Sequence, residues 1–137
     1  MPRISNVTVH SISSPLLKIN QEAMHLHATF NILSARPGDA DRQLGVVKQK
    51  TALLKHKMKI TSVYGEYMLE GMDIASRSCT IAKEGRIVAT VSKKFFAMSD
   101  TYGVEIVGEE DHAFILALVI ILDQLLFNQK MPILVLS

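Results

Sequence analysis

Lysines are the residues of this sequence with the clearest capacity for chemistry. Lys48, Lys50, Lys55, Lys57 and Lys59 fall between Val46 and Ile60 with no acidic residue among them. Lys55, Lys57 and Lys59 alternate with Leu54, His56, Met58 and Ile60, and a period of two predicts a strand with one apolar and one wet face. Lysines on one strand face make a positive patch that suits phosphate. Anionic lipid headgroups attract each such lysine by about 1 kcal/mol near a membrane surface, and the phosphates of nucleic acid attract it similarly. Lys93 and Lys94 join the candidate set. The same lysines also fit a solvated strand face that keeps the chain soluble and discourages edge-to-edge pairing. No arginine or aromatic base reader stands among them, so sequence-specific recognition of nucleic acid is not expected.

The remaining reactive side chains are isolated. His25 and His27 would share one face of a strand, half of a metal site, but no Cys or His pair at finger spacing completes it. His10, His56 and His112 stand apart. Asp39 and Asp41 lack the other ligands of a calcium loop. The single cysteine, Cys79, lies in an apolar run with no motif to supply a base, which reads as a buried structural thiol. One cysteine also excludes an internal disulfide and suits a reducing, intracellular and cytoplasmic setting, with peripheral plasma-membrane or nuclear placement left open. The N-terminus carries no continuous apolar signal segment, so the Asn6-Val7-Thr8 sequon reads as accidental. Asp123, inside an apolar run, reads as a hydrogen-bonded structural carboxylate. GxGxxG, P-loop and GxSxG motifs are absent, and the carboxylates offer no paired acid and base by spacing. The expectation is a protein that is not an enzyme and needs no cofactor and no metal.

Length and composition frame these residues. The chain has 137 residues, 48% of them hydrophobic, with a formal net charge of +2. That suits one domain with a real core, and the small charge implies neither nucleic acid nor membrane by itself. Residues 1–14 are polar with weak periodicity and read as a disordered leader. Short strands are expected between Leu16 and Phe30, and Ala35–Asp41, with its Pro37-Gly38 pair, is turn chemistry. A turn near Ala52 would join Val46–Lys50 to the lysine strand, and Tyr64–Leu69 is a further strand. Ser78–Phe96 reads as a hairpin about Lys83-Glu84-Gly85. Ser99-Asp100 reads as a turn before a strand through Tyr102, Val104 and Ile106. Asp111 is a good N-cap for a helix from His112 to about Phe127.

That helix dictates the architecture. Ala113 to Leu122 is uninterrupted apolar sequence. At about 15 Å it is half the thickness of a bilayer core, so it reads as a core helix and not a membrane span. A helix apolar on every side must be enclosed on every side, and the rest of the chain offers mainly strands. The fold class expected is mainly β (α+β), an antiparallel barrel, closed or incomplete, around a central hydrophobic C-terminal helix. Curling the sheet also removes its edges.

Three stretches make the chain resemble the LURP-one-related family, especially its plant-type members. They are Ser76–Ile81 with Gly85–Ala89, then Lys93-Lys94 with Asp100–Val104, and, most specifically, Asp111–Asp123. Weaker likeness reaches back through Leu53–Lys59 to His25–His27 and Leu16-Leu17. The resemblance implies a twelve-stranded barrel about a hydrophobic helix, of the kind shared by tubby C-terminal and phospholipid scramblase domains. It places the barrel domain at residues 15–128, followed by an apolar tail at 129–137. The family's usual opening strands have no counterpart before Leu16, which implies a shortened barrel with open edges, a partly uncovered helix, low stability and self-association. By resemblance the chain is a binding or adaptor module in plant defence or signalling, and tubby-like phosphoinositide binding turns the lysines toward an anionic membrane surface. The protein partner is unidentified. Two alternatives are a DNA-associated regulator, by analogy with tubby, and a truncated product without independent function.

Overall fold

Alternating apolar and polar residues build the strands, and the apolar helix is what they wrap. The computed structural model describes residues 6–10, 15–22, 29–48, 58–73, 78–96, 99–126 and 133–136. The elements run β1 (Asn6–His10), β2 (Pro15–Glu22), β3 (Thr29–Ser34), β4 (Gln43–Lys48), β5 (Met58–Ser62), β6 (Gly65–Asp73), β7 (Ser78–Lys83), β8 (Arg86–Phe96), β9 (Ser99–Ile106), α1 (His112–Leu126) and β10 (Ile133–Leu136). Sheet order is chain order. Each strand from β1 to β8 pairs antiparallel with its successor. β10 lies parallel to β9; a parallel neighbour needs a crossover connection, and α1 lies within it. Among the described residues β1 and β10 pair with no further strand, so the barrel is incomplete and has two edges.

The inward positions recur every second residue. Leu17 and Ile19 on β2, Phe30 and Ile32 on β3, Ile60 on β5, Tyr67 and Leu69 on β6, Ile81 on β7, Ala89 and Val91 on β8 and Val104 on β9 are all buried. They close on α1, where every residue from Ala113 to Asp123 is buried except the half-buried Leu116. The expectation of a partly uncovered helix is therefore corrected over that span. Nine strands in an antiparallel meander, with β10 added parallel to β9, suffice to enclose it.

Two turns show the local chemistry at work. Glu84 and Gly85, between β7 and β8, both have positive φ (51° and 84°), the arrangement a two-residue hairpin needs to match strand twist. In the loop after β3, Asp39 N–H donates to the Arg36 carbonyl at 3.0 Å with Gly38 at φ 81°. Proline at the second position and glycine at the third give that tight turn.

Three expectations change. Residues 6–10 are not part of a disordered leader: they form β1, in register with β2 from Asn6↔Asn20 to Val9↔Leu17. Residues 133–136 join the sheet as β10 and are not merely an apolar tail. Ser99 and Asp100 are not a turn but the start of β9, opposite Phe96 and Phe95; eight consecutive ladder pairs outweigh local turn preference. The turn near Ala52, residues 54–57, His25, His27 and Phe127 lie outside the described residues.

Candidate anion-binding face

β4 and β5 bring together two of the sequence-selected lysines. Their ladder runs Gly45↔Ser62, Val46↔Thr61 and Val47↔Ile60, so the next positions along it are Lys48 and Lys59. Val47 and Ile60 point into the core, at 1% and 0% exposure, which turns their neighbours outward. Lys48 and Lys59 are exposed. With Val46 and Thr61 they line a surface cleft of about 400 Å³. Like charges facing each other across a pair of strands repel, so two lysines at this place work against stability.

The surroundings of the two lysines differ. Lys59 Nζ lies 3.5 Å from Glu66 Oε1 on β6. Lys48 makes no ion pair among the described residues. Lys50, Lys55 and Lys57 lie outside the described residues, on the segment joining β4 to β5. Lys93 and Lys94 lie on β8, opposite Tyr102 and Thr101 of β9. β6 and β7 separate β8 from β5 in the sheet, so these two are not neighbours of the cleft strands.

A second polar cluster, at the start of α1, locks the helix into the sheet. Asp111 caps the helix as its sequence position suggests: Oδ1 accepts the Phe114 N–H at 3.0 Å. Its Oδ2 accepts from Arg36 Nη2 at 3.3 Å and from the Tyr64 hydroxyl at 3.4 Å. Beside it the Tyr67 hydroxyl donates to Glu110 Oε1 at 2.6 Å. Lys83 Nζ lies 3.6 Å from the same oxygen and 5.4 Å from the Tyr67 ring centroid. Burial, then the hydrogen bond to Glu110, push the Tyr67 phenol well above its ordinary value, so it stays a donor at any working pH. Asp111→Ala is expected to lower the stability of the fold by about 1–2 kcal/mol, the loss of a good N-cap, read as a shift in the urea midpoint at constant slope.

The other candidates are structural in their surroundings. Asp39 accepts from Arg42 Nε at 2.8 Å, a bond that holds its carboxyl below the usual range. Asp41 pairs with Lys18 at 2.7 Å. Asp123 is buried at 1% exposure and has interaction partners. Among the described residues no group of three histidines, cysteines or carboxylates could hold a metal ion, and no helix is long and apolar enough to cross a membrane.

Cys79 is 3% exposed, and burial pushes its thiol up to about 12. The folded thiol thus keeps its proton where the unfolded one has lost it. A raised pKa in the folded state means that stability is present below about pH 9 and falls as pH rises from there toward 12, by up to about 1.4 kcal/mol per unit. The thiol is expected to resist iodoacetamide at pH 8 in the native protein and to react within minutes in urea. Rapid native labelling would place Cys79 at an accessible site.

Sequence reasoning missed Glu66 and the Arg36–Asp111 contact. Glu66 was detectable in principle: a two-residue turn at Val63-Tyr64 puts it opposite Thr61, diagonal to Lys59. Arg36 meets Asp111 across 75 positions, with no local signal.

A family model described as LURP-one-related matches residues 6–123. No curated protein and no solved structure matches the chain.

Proposed function

This chain belongs to the LURP-one-related family, and we propose that it is a non-catalytic binding module that lays its lysine face against an anionic phospholipid surface, phosphoinositide-bearing membrane above all. The observation that supports this most is the juxtaposition of Lys48 and Lys59 across one ladder, both exposed, at a cleft of about 400 Å³. Lys50, Lys55 and Lys57 occupy the connection between those strands, and the whole stretch has no acid to neutralise it. Each lysine near an anionic surface contributes about 1 kcal/mol, so a face of this composition reaches useful affinity without a deep pocket. Contact of this kind is peripheral, at the cytoplasmic leaflet, and in a plant member of the family it would serve defence or signalling.

Co-sedimentation with vesicles tests the reading. Phosphatidylcholine vesicles containing 5% phosphatidylinositol bisphosphate are expected to pellet the protein, and phosphatidylcholine alone is not. Equal partitioning onto both, or onto neither, would reject the proposal. Salt-sensitive retention of duplex DNA without any vesicle binding would transfer the lysine face to nucleic acid.

A further inference from the structure

A carboxylate stands beside one basic wall of the cleft between β4 and β5. Glu66 stands opposite Thr61, the residue that lines the cleft with Lys59, and its Oε1 lies 3.5 Å from Lys59 Nζ. Both side chains are about half exposed, 51% for Lys59 and 59% for Glu66, so the pair is weak and free to exchange. Lys48, the other basic wall, carries no such counter-ion among the described residues. Among the described residues, then, one wall of the cleft is an unpaired cation and the other is already partnered.

We propose that Glu66 is a resident counter-ion that gates this site: a phosphate-bearing lipid headgroup engages both Lys48 and Lys59 only by displacing the Glu66 carboxylate from Lys59. The inference rests on the reading of the lysine face as a surface for anionic lipid. A phosphate can carry a second negative charge and makes short charge-assisted bonds to ammonium groups, so it competes well with a single exposed carboxylate. Glu66 also repels an approaching anionic surface in its own right. The consequence is selectivity: singly charged headgroups gain little from the exchange, whereas multiply phosphorylated ones overcome it.

Glu66→Gln tests the gate, with binding measured on vesicles containing phosphatidylserine and on vesicles containing phosphatidylinositol bisphosphate. The variant is expected to bind about two- to fivefold tighter than the parent, the range for loss of an exposed pair, with the larger gain on phosphatidylserine. Glu105→Gln makes the same change in net charge at an exposed position on β9 and is expected to leave affinity unchanged. In a Lys59→Ala background the gain from Glu66→Gln is expected to vanish, because such a cycle isolates the pair. Equal affinity of Glu66→Gln and the parent would overturn the gate and leave the lysine-face reading standing; so would an equal gain from Glu105→Gln, or a gain that survives Lys59→Ala. Failure of parent and variant alike to bind any anionic vesicle would end both.

Discussion

Phe114→Ala is expected to destabilise the protein by about 3–5 kcal/mol, the usual cost of truncating a buried phenylalanine. Phe114 is 0% exposed and is where the helix, the sheet and the N-terminal cluster meet. Its ring packs edge-on to Tyr64 at 5.0 Å and tilted against Tyr67 at 5.6 Å. It also presses on the backbone of β4: a Cβ at Gly45 would stand 3.0 Å from Phe114 Cζ and 3.2 Å from Ser62 Cβ. A larger residue there would require Phe114 or Ser62 to give by a few tenths of an ångström, so glycine serves that position through space and not through its backbone angles. Truncation removes the aromatic contacts and opens a cavity that three elements share. Most single domains have only about 5–15 kcal/mol of total stability, so the change takes a large fraction. The matched control is Leu116→Ala, on the one half-buried position between Ala113 and Asp123, expected to cost clearly less. Urea denaturation of both variants decides it. A loss below about 1 kcal/mol for Phe114→Ala, or equal losses at the two sites, would contradict a helix enclosed by the sheet.

What was legible in the sequence is what local physics determines. The helix, its burial and the Asp111 cap follow from one apolar run and one carboxylate before it, because an all-apolar helix has few places to go. The β7–β8 hairpin and the Pro37-Gly38 turn follow from residues that set their own φ. The edge strands were hidden for the opposite reason. Asn6–His10 and Ile133–Leu136 are five and four residues long, and each becomes a strand because a neighbour offers it a ladder. Residues 6–10 have weak periodicity of their own, and only the ladder with β2 makes them a strand. Ser99-Asp100 has turn chemistry, but the register that pairs them with Phe96 and Phe95 is a property of the whole hairpin. The candidate face shows the same division. The lysines were visible as composition, yet the facing of Lys48 and Lys59 needed the β4–β5 register. The Glu66 contact needed that of the next hairpin, and the tie from Tyr67 to Glu110 spans 43 positions.

Replacing Lys48, Lys50, Lys55, Lys57 and Lys59 together by glutamine is expected to weaken binding to phosphoinositide vesicles at least a hundredfold. Five lysines at about 1 kcal/mol each near an anionic surface sum to more than that, and screening over a Debye length of about 8 Å at physiological ionic strength reduces the total. The wild-type affinity should accordingly fall as salt rises from about 50 to 200 mM, and the glutamine variant should lose most of that dependence. Lys93→Gln with Lys94→Gln separates a local face from general positive charge. β8 lies three strand spacings from β5, about 14 Å and beyond the Debye length, so this pair is expected to change affinity by about twofold or less. Stability gives an independent sign. Lys48 and Lys59 line one cleft just beyond the Val47↔Ile60 pair, so removing one of these two like charges by Lys48→Gln is expected to raise stability by a few tenths of a kcal/mol while lowering vesicle affinity severalfold. A site kept for binding shows that opposition of stability and function. If the glutamine variant binds phosphoinositide vesicles as well as its parent, the lysines are a solubility device that guards a strand face, and the membrane-surface reading falls with them.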